Sequence, residues 1–186
     1  MNKKTKMNLT NSLQTWNELL DAAPQGAVLM GGAIRDWACN HEAKDYDIFY
    51  NYRPGVHEAP NWEYIPRNYD PGLFDQRAHD ADYNDRAIGS VYDYDVRVSN
   101  GQSVRVQLIG VHFNDPREHF RSFDHTLTLG RYGAKGLYID KRMSDALVTR
   151  TVTWLHGDKD KALERAQRAV SRVDPGEEAE WNYQGF

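Results

Sequence analysis

The chain has 186 residues, 40% of them hydrophobic and 27% charged, with a net charge of −4. That length supports one compact domain with a real core and favours one domain over two. The negative balance argues against broad, purely electrostatic nucleic-acid binding. No stretch is apolar enough to cross a bilayer, and the basic start at Met1 leads into the polar run Met7 to Gln14, so neither a membrane partner nor a secretory leader is expected. Cys39 is the only cysteine, which excludes an intrachain disulfide and points to a reducing cytoplasm.

The charge is unevenly distributed. Asp36 to Asp95 holds 13 acids against 5 bases, whereas Arg131 to Arg172 holds 10 bases against 5 acids. Such a split suits carboxylates that bind metal beside a basic surface that receives phosphates, and it suits ordinary solvated helix faces equally well.

In chain order, Thr10 or Asn11 can cap a helix whose Leu13, Trp16, Leu19 and Leu20 share one face, ended by Pro24-Gln25-Gly26. Ala27 to Met30 reads as a short buried strand entering Gly31-Gly32, and Ala33 to Ala38 is helix-compatible. Asp45 to Tyr50 alternates acidic with apolar or aromatic residues, as a half-buried strand does. Pro54, Pro60, Pro66 and Pro71 punctuate the next stretch, which reads as an irregular insertion. Val91 to Val98 and Ser103 to Ile109 form a hairpin around Asn100-Gly101. Gly136 to Ile139 is a further strand, while Ala146 to Leu155 has no clear assignment. Between Asp158 and Val173, apolar Ala162, Leu163, Ala166, Val170 and Val173 recur with helical period beside a basic stripe of Lys161, Arg165, Arg168 and Arg172. The tail from Asp174 is expected to fray except where Trp181, Tyr183 and Phe186 dock.

Asp45 and Asp47 point to the same side of a strand, roughly 6 to 7 Å apart at the backbone, so their carboxylates can converge on a hard divalent ion. An exposed acidic strand is the alternative. Gly31-Gly32 allows a phosphate close to backbone N–H groups at the start of a helix, or is a plain strand-to-helix turn. Together, the turn and the acid pair supply both halves of one nucleotide and metal site.

Leu29-Met-Gly-Gly-Ala-Ile-Arg-Asp36 followed by Lys44-Asp-Tyr-Asp-Ile-Phe49 resembles the first motif of the CCA-adding enzymes and bacterial poly(A) polymerases, within the polymerase-beta-like nucleotidyltransferase superfamily. Phe123-Asp-His-Thr-Leu-Thr128, Gly136-Leu-Tyr-Ile-Asp140, Asp145-Ala-Leu and Arg150 are similar to later family segments, and Arg165-Ala-Gln-Arg168 resembles the start of its neck helix. The resemblance implies an α+β fold: a nucleotidyltransferase head with a mixed β-sheet flanked by helices over residues 1–157, with 51–88 as its insertion, and a short neck-like helix and tail over 158–186. It implies magnesium or manganese on Asp45 and Asp47, NTP phosphates near Gly31, Gly32 and Arg35, and Asp124 and Thr126 near the nucleotide sugar.

Three departures from the family pattern are visible. Its third acid corresponds to Gln107, which cannot act as a charged base. The arginine pair before Asp124 reads Ser122-Phe123. The chain also ends soon after the neck begins. Asp93 and Asp95, on the partner strand of the hairpin, could replace the missing acid or form a plain polar face.

The reading is a metal-dependent transfer of a nucleotide from an NTP to an RNA end, with a tRNA-like acceptor and the basic stripe along the RNA backbone. Its competitors are a nucleotide- or RNA-binding protein of the same fold without efficient chemistry, and transfer onto a protein or small molecule. Tyr50, Tyr52, Trp62, Tyr64 and Tyr69 could stack bases or form the insertion's own core. His112, His119 and His125 read as structural or surface residues rather than zinc ligands.

Overall fold

The computed structural model describes residues 3–53, 64–66, 88–112, 115–174 and 180–186. Helix α1 spans Lys3–Asp21 and buries Trp16 and Leu19. It starts well before the cap expected at Thr10 or Asn11, because no glycine or proline interrupts the preceding turns. Strand β1 (Val28–Met30) enters α2 (Gly32–Ala38), followed by β2 (Tyr46–Asn51). Within the expected irregular insertion, residues 64–66 form β3 (Tyr64–Pro66), antiparallel to β4 (Ile88–Arg97); the rest of 54–87 lies outside the described residues.

β4 turns through Asn100-Gly101 into β5 (Ser103–Val111) as expected, with Gly101 at φ 82°. The Ser99 N–H donates to Glu18 at 2.8 Å and ties this turn to α1. Two 3-10 helices follow, Pro116–Ser122 and Thr126–Thr128, and then the hairpin β6 (Gly130–Gly133) and β7 (Gly136–Ile139). The unassigned stretch divides into the end of α3 (Lys141–Thr149) and β8 (Thr151–Thr153), separated by Arg150 at φ 52°. Helix α4 (Lys159–Val173) and β9 (Asn182–Gln184) complete the described chain.

Among the described residues, seven strands form one mixed sheet in the order β3-β4-β5-β2-β1-β6-β7, in which only the β2–β5 pair is parallel. Period-two alternation sorts its residues into two faces. Leu29, Ile48 and Leu108 stand in register across three strands and are at most 1% exposed. Tyr132 shares their face, packs on Trp16 of α1 and donates its hydroxyl to Asn17 at 2.7 Å. Helix α2 crosses the same face so closely that a Cβ on Gly130 would sit 2.4 Å from the Ile34 side chain. The opposite face carries Met30, Asp47, Gln107 and Asp93, and the first 3-10 helix covers one end of it through Phe120, Phe123 and His119.

A second, smaller core joins Leu127, Ala146 and Val152 to Ala166 and Ala169 of α4, with Trp181, Tyr183 and Phe186 packed against it. The expected docking of those three aromatics therefore has a partner, and β9 pairs in parallel with β8. Packing across position 157 is continuous, so the neck-like helix shares a core with the segment before it.

Candidate functional site

The turn between β1 and α2 is built on Gly31, whose φ of 84° and ψ of −132° are a conformation only glycine holds without strain. A Cβ at Gly31 would lie 3.6 Å from Asp47 Oδ2 and 4.0 Å from the Phe123 ring. Gly31 N–H donates to the Gly130 carbonyl at 3.0 Å. Gly32 makes room for Arg35, whose guanidinium would stand 3.4 Å from a Cβ placed there.

Asp47 faces this turn from β2, and Asp45 immediately precedes the strand. Asp47 pairs in register with Gln107 of β5, and Gln107 pairs in register with Asp93 of β4. Paired residues on adjacent strands share a face, so the three side chains form one row. The Gln107 amide donates to Asp93 Oδ1 at 3.1 Å, and Arg105 Nη2 lies 3.9 Å from the same oxygen. Asp95 is in register with Arg105, one step along the same face. Burial pushes the Asp47 carboxyl up to about 7, and the Asp45 charge adds to the effect, while Arg35 and Arg105 oppose it. A carboxylate held against its own ionisation gains from a cation beside it.

Arg35 is 7% exposed and its guanidinium grips Asp36 Oδ1 through Nε at 2.8 Å and Nη2 at 2.6 Å. Asp124 accepts from Arg165 of α4 at 2.6 Å. Thr126 is buried and its hydroxyl accepts from the Thr153 N–H at 3.1 Å, so it holds β8 in place. His125, 2% exposed, has a buried Nδ1 without a hydrogen-bond partner.

The basic stripe of α4 divides. Arg165 reaches Asp124, Arg172 reaches Asp36, Arg168 is exposed and pairs with Glu164 one turn away, and Lys161 is partly exposed. Two of its four cations thus face the body of the protein. Tyr50 is a core residue whose hydroxyl meets Ser90 Oγ at 2.9 Å, and Tyr52 packs edge-on against His112. His119 stacks on Phe49. Trp62 and Tyr69 lie outside the described residues. Residues that sequence reasoning missed as part of the site are Asp36 and Phe123; both stand inside quoted motifs, but their partners are distant in sequence and leave no local signal.

The donor set suits magnesium or manganese in one respect: Asp45 and Asp47 offer hard oxygens beside the Gly31 turn. Among the described residues no group of three or more His, Cys, Asp or Glu could hold an ion unaided. Two carboxylates that share an ion with phosphate oxygens are the usual arrangement for magnesium.

No family model matches the sequence, and no curated protein does. Solved structures match along nearly all of it. A CCA-adding enzyme in complex with CTP aligns with a TM-score of 0.55 at 15% identity, over 97% of this chain and 43% of its own. The Thermotoga maritima CCA-adding enzyme complexed with tRNA aligns at 0.54 and 13% identity, over 97% and 42%. A tRNA-processing enzyme in an apo form aligns at 0.54 and 13%, over 94% and 44%. The chain therefore has the α+β fold of a nucleotidyltransferase head and spans less than half the length of these structures. Among the described residues no helix is long and apolar enough to cross a membrane.

Proposed function

We propose that this chain is a divalent-metal-dependent nucleotidyltransferase that moves a nucleotide from an NTP onto an RNA end, with a tRNA-like acceptor. The observation that carries the reading is the meeting of Gly31 with Asp47: a turn in a glycine conformation stands within one methyl's contact of a carboxylate that burial and the Asp45 charge push up to about 7. In the reaction the acceptor hydroxyl oxygen bonds to the α-phosphorus, the bond to the bridging oxygen breaks, pyrophosphate leaves with that electron pair, and the hydroxyl proton passes to water. Asp45 and Asp47 would hold magnesium or manganese, which would supply positive charge against the triphosphate. Arg35 adds a fixed cation beside Gly32. Asp124, oriented by Arg165, is the residue of its segment available to the sugar, with Thr126 as its structural support. Lys161 and Arg168 are the cations of the stripe offered to RNA.

A second reading, nucleotide binding with little turnover, is favoured by the neutral Gln107 amide beside Asp47. Incubation with each labelled NTP, magnesium or manganese, and total RNA separates the two. Label transfer that disappears in Asp45→Ala with Asp47→Ala supports the enzyme. NTP binding without transfer selects the second reading, and absence of NTP binding removes both.

A further inference from the structure

Asp36 is 2% exposed and lies between two arginines that are far apart in the chain. Its Oδ1 takes Arg35, and its Oδ2 takes Arg172 of α4 through Nε at 3.1 Å and Nη2 at 2.9 Å. Arg172 Nη2 also donates to the Glu42 carbonyl at 3.2 Å, beyond the end of α2. A buried carboxylate is stable only when both oxygens are satisfied, and each fork of donors fixes its plane. The orientation of Asp36, and through it the place of the Arg35 guanidinium against Gly32, is thus set from the last helix.

We propose that Arg172 is a positioning residue of the phosphate seat: by holding Asp36 it fixes Arg35 beneath the Gly31-Gly32 turn, so that α4 pre-forms the site for the triphosphate. Seven residues earlier, Arg165 holds Asp124, whose neighbour Phe123 lies against Gly31, so the same helix also anchors the segment beside the turn. The inference rests on the nucleotide-binding reading above and gives Arg165 and Arg172 a role that needs no RNA.

Two measurements on the full chain test it: hydrogen exchange without ligand, and titration with ATP, CTP, GTP and UTP in magnesium. Arg172→Gln is expected to accelerate exchange of the residue 32–36 amides and to weaken NTP binding about tenfold, the scale of one lost charge-assisted contact. Arg172→Lys, which keeps the charge but not the fork, should fall between and serves if the glutamine variant does not fold. Lys141→Gln, an exposed change on α3, is the control for both. Unchanged exchange over 32–36 in both Arg172 variants overturns the positioning role, as does altered exchange with wild-type NTP affinity. A wild-type chain that binds no NTP overturns the functional reading itself, whatever the exchange data show for the clamp.

Discussion

Gln107 stands directly beside Asp47 in the parallel pairing of β2 with β5, and its amide donates at 3.1 Å to Asp93 on the far side. The amide therefore separates two carboxylates of one row. Gln107→Glu replaces a donor to Asp93 with a like charge, so it is expected to lower the melting temperature in EDTA and to gain more stability from magnesium or manganese than wild type does. In an acceptor assay the added carboxylate should raise transfer without a large change in NTP affinity. If the glutamate variant is no faster while Asp93→Asn abolishes transfer, Asp93 is the third acid.

Asp45→Ala with Asp47→Ala should remove the rise in melting temperature that magnesium with NTP gives wild type, because a ligand that binds only the native state stabilises it by linkage. Equal shifts in both proteins would count against the metal assignment.

Two groups, the half-buried Asp47 and the buried His125, impose opposite pH dependence on the metal-free protein. Burial pushes the Asp47 carboxyl from the ordinary 3.8 up to about 7, so the native state binds more protons than the unfolded chain and loses stability as pH rises through that interval. His125 is pushed down to about 4 from 6.5, chiefly by burial, so the unfolded chain binds the proton and stability falls as pH drops through that interval. Each effect is on the order of 3 kcal/mol. Urea unfolding in EDTA between about pH 4 and 6.5 should show Asp47→Asn tilting upward with pH relative to wild type, and His125→Gln tilting downward. Three parallel profiles would refute both assignments.

Lys161→Glu with Arg168→Glu should weaken RNA binding and reduce its salt slope by about 2, since each phosphate contact releases counterion. Arg168→Glu alone should move stability by no more than about 0.5 kcal/mol, because Arg168 is exposed and pairs with Glu164 of its own helix. An unchanged affinity and slope would leave this surface without a role in RNA binding.

Ala166 is 0% exposed in the second core. Ala166→Leu should cost roughly 1–3 kcal/mol by overpacking, read as a lower urea midpoint. A neutral result would mean that α4 is not docked as described.

Several features are decided by the sequence itself. Asn100-Gly101 makes the hairpin, Gly31-Gly32 makes the turn, and alternation from Asp45 to Tyr50 places Asp47 and Phe49 on one face, because short-range sterics and period-two burial act on neighbouring residues. The spacing of Ala162, Ala166 and Val170 likewise predicts α4 and its apolar face. Only the tertiary structure decided where β3, β6 and β9 pair, since three- and four-residue strands carry too little pattern to announce themselves. It also decided that Asp93, Gln107 and Asp47 form a row, and that Arg172 belongs to Asp36 rather than to solvent. An arginine on an amphipathic helix has the same local sequence signal in either setting; what selects the inward one is the cost of leaving a buried carboxylate without donors, and that cost exists only once Asp36 has been buried by the fold.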